Sequence, residues 1–257
     1  MFYPLFILLL LMSPVASAAD TATPPVTVVE LFTSQGCYSC PPADEFLGEL
    51  ATHENVITLS CHVTYWNYLG WKDTFSRPFC NNRQRQYQSF LKGGERGVYT
   101  PQMIINGRYS AVGSRRSKVN AIIAADHQYE QAVERIEITA TANANQLTHG
   151  TQKTLAVALP AIKNPAVGEN NKKQQWQLFL LGTSGEHLLP ITSGENGGKQ
   201  LPYFNPIEYV ENKGEWDGQE EVVEWALPDE PRVKEWVVIA QQWPLGSIVA
   251  SGLLSLK

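Results

Sequence analysis

Residues 26–46 read VTVVELFTSQGCYSCPPADEF. An apolar run ends in a loop of small residues. Cys37 and Cys40 follow, two residues apart, then Pro41, Pro42 and an acidic turn. The pattern predicts a strand, a redox-type loop and a helix start. Two intervening residues let both cysteines come within disulfide range. Backbone N–H groups and the positive end of a helix dipole favour a thiolate there. Cys37 lies nearer the loop tip and is the expected nucleophile. The alternatives are a structural disulfide or half of a metal site. A ribbon-type metal site wants a second CxxC or a spaced His pair, and the sequence has neither. No metal and no cofactor are therefore expected. Pro41 lacks an N–H and pushes Cys40 away from helical dihedrals. The helix is expected to begin at Pro41 or Pro42, with both cysteines just before it.

Upstream, residues 1–19 form an apolar run, a Ser13-Pro14 break and the small-x-small triplet Ala16-Ser17-Ala18. This is the pattern of a cleaved secretory signal, and the run is short for a membrane span. The protein is expected to be periplasmic or secreted, touching a membrane only through an uncleaved signal. In that compartment its four cysteines can pair. The net charge of −5 and the absence of a basic run argue against nucleic acid.

Downstream, Ala43 to Leu50 reads as a helix and Val56 to Val63 as a second strand, a parallel crossover. Cys61 lies in that strand. Cys80 lies near the start of a helix expected from a Ser76 cap through Leu91 to Gly93-Gly94. Local geometry favours pairing 37–40 with 61–80, and the second bridge would be worth about 3 kcal/mol. Free buried thiols are the alternative. His62 points to the opposite face from Cys61 and reads as structural. Residues 64–75, TYWNYLGWKDTF, are dense in aromatics. They read as a packed cap over the sheet, with a partner-binding groove wall as the alternative. Met103 to Ile105 and Tyr109 to Val112 form a hairpin around Asn106-Gly107, a type I′ signal. Ser114 then caps a helix carrying Val119, Ile122 and Ile123.

Strand–CxxC–helix–strand, an insertion over 64–97, then Thr-Pro–strand–NG–strand–helix, is similar to the thioredoxin fold. VELFTSQGCYSCPPAD, HVTYWNYLGWKDTF and YTPQMIINGR more closely resemble an exported bacterial thioredoxin-like family of unknown function. The resemblance covers most of the mature chain. It implies redox residues Cys37 and Cys40, a cis bond before Pro101, and a partner-binding face shaped by Thr100 and Pro101. Tyr38 and Trp66 join them as substrate-binding candidates. The chain carries Thr64 and Asn67 where the family's aromatic motif has aspartates. A carboxylate proton relay is thus expected to be missing. Cys61 and Cys80 are not implied by the resemblance.

After residue 130 the chain changes character. Short alternating strands separated by Gly, Pro and Asn suggest a β-sandwich or barrel. The expected fold class is an α/β thioredoxin-like N-terminal domain (20–130) with an all-β, sandwich-like C-terminal domain (131–257). The tract 184–218 reads as a long irregular surface loop, with a lid over the redox site as the alternative. His127, His149 and His187 are scattered and read as exposed polar residues. Three functions remain open. The first is a thiol–disulfide oxidoreductase acting on an exported protein or small thiol with an unknown redox partner. The second is a non-enzymatic binding module with a structural CxxC. The third is Cu(I) handling by Cys37 and Cys40.

Overall fold

The computed structural model describes residues 25–91, 97–126, 132–142, 153–162, 175–242 and 246–256. The expected signal peptide at 1–19, Gly93-Gly94, His127 and His149 lie outside them.

β1 (Thr27–Thr33) is buried along its whole length. Burial on both faces is why it reads as an apolar run without alternation. It pairs in parallel with β2 (Val56–His62) and antiparallel with β3 (Gln102–Ile105). β4 (Tyr109–Val112) completes a four-stranded sheet of order β2-β1-β3-β4. The hairpin register joins Ile105 to Tyr109. Its loop is therefore three residues rather than the expected two, with Asn106 and Gly107 both left-handed. Asn106 is fixed by its own side chain, whose Oδ1 accepts the Val28 N–H at 2.6 Å.

α1 (Pro41–Leu50) and α3 (Arg116–Asp126) cover one face of this sheet. Phe46, Leu47 and Leu50 of α1 and Val119 of α3 pack on Leu31, Met103 and Ile105. α2 (Pro78–Phe90) lies on the other face. Its N-cap is Arg77, not the expected Ser76, whose hydroxyl instead donates to the Asp73 carbonyl.

The second half adds β5 (Glu134–Arg135), β6 (Glu137–Ala142), β7 (Lys153–Leu159), β8 (Trp176–Thr183), β9 (Glu186–Pro190), β10 (Gln200–Phe204), β11 (Ile207–Trp216), β12 (Glu221–Ala226), β13 (Glu235–Gln242) and β14 (Ile248–Ser255). They form a five-stranded sheet β11-β8-β13-β14-β5, a three-stranded sheet β12-β7-β6 and the hairpin β9-β10. β13 is buried on both sides by strand alternation. Trp236 and Val238 face the three-stranded sheet. Val237 and Ile239 face β1, β2 and α2.

The expected fold class is therefore corrected. Among the described residues the protein is mainly β, with three helices of 10, 13 and 11 residues against fourteen strands. The physical reason lies in the core. An α/β layer architecture would cover the second face of the first sheet with helices. Here that face packs Val28, Phe32 and Leu59 against Leu181, Val237, Ile239 and Ile248 of the five-stranded sheet, and α2 supplies only part of the cover. A buried polar knot crosses the same boundary. Arg83 of α2 bonds Glu30 of β1 and, at 2.9 Å, Gln241 of β13. Tyr87 bonds Glu30, and Gln241 donates to the Tyr87 hydroxyl at 2.8 Å.

Strand β11 and the hairpin β9-β10 replace the irregular loop expected at 184–218. The β10 strand packs on α1 so closely that a Cβ on Gly48 would meet the Phe204 ring at 2.4 Å. Glycine to alanine inside a helix ordinarily stabilises by up to about 1 kcal/mol. Here the sign reverses: Gly48→Ala is expected to lose about 1–3 kcal/mol through overpacking. A lower urea midpoint at unchanged slope reads this out, and an unchanged or raised midpoint would refute the contact.

Candidate functional site

β1 ends at Thr33 and the chain turns. Ser34 accepts the Cys37 N–H through its carbonyl at 3.1 Å and the Gly36 N–H through its hydroxyl at 3.1 Å. The Cys37 carbonyl accepts the Cys40 N–H at 3.2 Å. Cys37 and Cys40 are joined as a disulfide at the head of α1, with Cys40 as its N-cap. Cys40 is helical (φ −79°, ψ −36°), against the expectation drawn from Pro41. Its carbonyl accepts the N–H groups of Ala43 and Asp44, and closing that first turn outweighs the pre-proline preference.

The structure gathers most of the expected site residues. Thr100 donates its hydroxyl to Cys37 Sγ at 3.2 Å and accepts the Trp66 indole N–H at 2.8 Å. The Thr100–Pro101 bond is cis. Tyr38, between the cysteines, is 69 % exposed, whereas Cys37 is 1 % exposed and Cys40 fully buried. Tyr65 and Trp66 pack against the core, and Trp71 packs beside Phe75 and Ile191. Cys61 and Cys80 form a second disulfide inside that core, tying β2 to α2 away from the CxxC loop.

A polar cluster lies behind the pair. Asp44 is buried in α1, four residues after Cys40. That spacing puts the two on one helix face, about 5–6 Å apart at Cβ. His62 is buried at the end of β2, with Nδ1 2.7 Å from Asp73 Oδ2. Asp73 also accepts the N–H groups of Gln35 and Phe75. Among the described residues, the buried side-chain polar atoms without a hydrogen-bond partner include Asp44 Oδ1, His62 Nε2 and the Tyr203 hydroxyl. Burial pushes the Asp44 carboxyl up to about 7 against the opposing pull of His62. Burial lowers His62, but the charge and hydrogen bond of Asp73, with Asp44, outweigh it and leave the imidazole raised. Burial raises Asp73, yet His62 and the two N–H donors hold it below its ordinary value.

No carboxylate stands at positions 64 or 67, but two carboxyl groups from elsewhere in the chain lie in this cluster. Thr64 and Asn67 spend their side chains on Asn81 and on Ser76 and Asp73, while Asp44 and Asp73 supply the carboxylates. Asp44 was findable from its spacing after Cys40, but Asp73 and His62 carry no such signal. The β9-β10 tip lies in the tract expected as a surface loop, with a lid over the redox site as the alternative, and it reaches the CxxC loop. Its Asn196 is fully buried against the CxxC loop and donates to the carbonyls of Gln35 and Cys37 at 3.0 and 2.9 Å. His187 is half-buried; it bonds the Ser184 hydroxyl and packs on Phe75. Among the described residues no group of three or more His, Cys, Asp or Glu side chains is placed to hold a metal. No described helix is long and apolar enough to cross a membrane.

These features define a mainly β protein with two disulfides, one of them a CxxC pair at a helix head backed by a buried acid–imidazole cluster. The chain belongs to the family described as "Protein of unknown function (DUF1223)", whose sequence pattern matches residues 28–241. It is similar to the crystal structure of a protein from Agrobacterium tumefaciens, at 28% identity and a TM-score of 0.71, over 91% of this chain and 96% of that one. HBP35 of Porphyromonas gingivalis shares the fold at 14% identity and a TM-score of 0.56, over 90% of this chain and 75% of that one. No curated protein matches the chain. The two disulfides fit an oxidising, extracytoplasmic environment.

The acid cluster sets a pH dependence. Asp44 has a native pKa above its unfolded value, so the native state prefers it protonated. That preference is fully present below about pH 4 and is lost as pH rises through about 7. Asp44→Asn keeps a neutral side chain at every pH. The variant is expected to match the wild type near pH 4 and to exceed it at pH 8 by on the order of a few kcal/mol. Denaturation curves across that range measure the gap; a gap that does not widen with pH would refute the burial penalty.

Proposed function

We propose that this protein is a thiol–disulfide exchange protein of an extracytoplasmic compartment, working through Cys37 and Cys40. The observation that carries the reading is Asp44, a buried carboxyl on the Cys40 face of α1 with a pKa near neutrality. A buried, half-satisfied acid is costly, and a closed staple has no use for one. An exchange site does. An incoming thiolate bonds to Cys37 Sγ, the Cys37–Cys40 bond breaks, and its electron pair leaves on Cys40. Asp44, protonated near pH 7, gives that thiolate its proton, and His62 with Asp73 sets the charge around it. In reverse, the Asp44 carboxylate takes the Cys40 proton as Cys40 resolves the mixed disulfide. Thr100, held by Trp66, donates to Cys37 Sγ and stabilises the Cys37 thiolate once the bond is open. Thr100 and the exposed Tyr38 lie on the face a substrate meets, with Pro101 buried behind them. Residues 1–19 would direct export.

The burial of both cysteines favours a second reading, in which the pair is a closed staple of a binding module. The reduction potential separates the two. Equilibration in graded redox buffers, followed by thiol trapping and mass mapping of Cys37 and Cys40, is expected to give a value between about −120 and −270 mV. A value below about −300 mV marks a staple and refutes exchange. On the exchange reading Asp44→Asn slows resolution of the mixed disulfide by about 100-fold and flattens its pH profile near 7. A rate and profile equal to wild type would remove Asp44 from the chemistry.

A further inference from the structure

Cys37 is held at two points. Thr100, itself bonded by Trp66, meets its sulfur. The tip of the β9-β10 hairpin, residues 191–199, which comes from the far half of the chain, holds its backbone carbonyl. The tip is fastened at several points. Asn196 donates to the Gln35 and Cys37 carbonyls and accepts the Lys199 ammonium at 2.8 Å. Glu195 accepts the Tyr38 N–H at 3.2 Å. Ser193 donates to the Gly70 carbonyl at 2.6 Å. Gly194 is left-handed, and a Cβ there would reach Trp71 at 3.0 Å. The result is a cysteine with almost no exposure, its backbone pinned by a tip whose other residues, apart from Ile191 and Asn196, are exposed.

Disulfide exchange needs direct access of the attacking sulfur to the sulfur it attacks. The thiol of a folded protein projects only a side chain's length from a broad surface. It cannot reach a buried sulfur beside a pinned tip. A free small thiol has no such surface. The entrance also carries one charge of each sign: the Glu195 carboxylate and the Lys199 ammonium flank Tyr38, with Lys199 4.7 Å above its ring. That pair complements the ammonium and carboxylate of an amino-acid thiol.

Resting on the exchange reading above, we infer that the β9-β10 tip is the specificity element of the site: it admits low-molecular-weight amino-acid or peptide thiols and disulfides to Cys37 and shuts out folded proteins. The step balances. One small thiolate bonds to Cys37 Sγ and releases Cys40, which gains a proton. A second thiolate attacks the small-molecule sulfur of the mixed disulfide and releases Cys37. Two small thiols are oxidised to one disulfide, and the protein pair gains two electrons and one proton; the second proton goes to solvent and Cys37 remains a thiolate. Supply of the small disulfide drives the reverse.

The test uses the full chain and three reductants, free cysteine, mercaptoethanol and reduced thioredoxin, with opening of the Cys37–Cys40 bond followed by thiol trapping. Wild type is expected to be opened by cysteine while thioredoxin is slow. Asn196→Ala, which unfastens the tip, should raise the thioredoxin-to-cysteine rate ratio about tenfold or more. Lys199→Gln, a surface change that reports even if Asn196→Ala does not fold, should lower the cysteine-to-mercaptoethanol ratio about threefold or more. Thioredoxin opening wild type as readily as cysteine does, or both ratios staying at their wild-type values, overturns the specificity role and leaves exchange standing. If none of the reductants opens the pair in wild type or variants, the exchange reading falls and this inference falls with it.

Discussion

Glu30 is a fully buried carboxylate in the middle of β1, and the architecture depends on how its charge is met. Arg83 meets it from α2, Tyr87 adds a hydrogen bond, and Gln241 of β13 bonds both Arg83 and Tyr87. Removing one partner of such a knot would strand a charge in an apolar core, at a cost of about 3–5 kcal/mol. Because its members come from β1, α2 and β13, the knot also fixes geometry. It sets where the helix lies on the first sheet and where the five-stranded sheet docks against both. The apolar contacts around it, Phe32 and Leu59 against Val237 and Ile239, supply the burial, and the polar knot admits only one register for it.

That docking is what builds the site. With the five-stranded sheet seated on β1 and β2, the β9-β10 hairpin falls across α1. Leu201 and Tyr203 then join Phe75 and Ile191 in a small core of their own. Tyr203 and Phe75 pack edge-on to the His62 ring at 5.4 and 5.2 Å. The apolar shell around His62, Asp44 and Asp73 is therefore largely a product of the second half of the chain. It is that shell which dries the cluster and moves its proton affinities. The same hairpin carries Asn196 to the CxxC loop.

Some of this was legible in the sequence. The CxxC followed by two prolines announced a helix starting at Pro41, and that helix starts there. Asn-Gly marked the turn between β3 and β4, though its loop is three residues long, and local geometry favoured pairing Cys61 with Cys80. The misreadings share one cause. Helices in the first half were expected to seal both faces of its sheet, because nothing local distinguishes a face covered by helix from one covered by another sheet. Tract 184–218 looked like loop because Gly194 and Gly198 turn the chain while the strands beside them are short and carry Pro190 and Pro202.

The sequence by itself determined the local chemistry. It placed two cysteines two residues apart before a proline-started helix, and a Thr-Pro step ahead of a strand. These follow from backbone sterics and residue spacing, which act over a few positions. Only the tertiary structure decided that the protein is mainly β, that His62 and Asp73 join Asp44 behind the disulfide, and that Asn196 bonds the Cys37 carbonyl. Those contacts span from 11 residues, between His62 and Asp73, to 159, between Cys37 and Asn196. They depend on which apolar faces bury one another, and no local pattern in the chain encodes that choice.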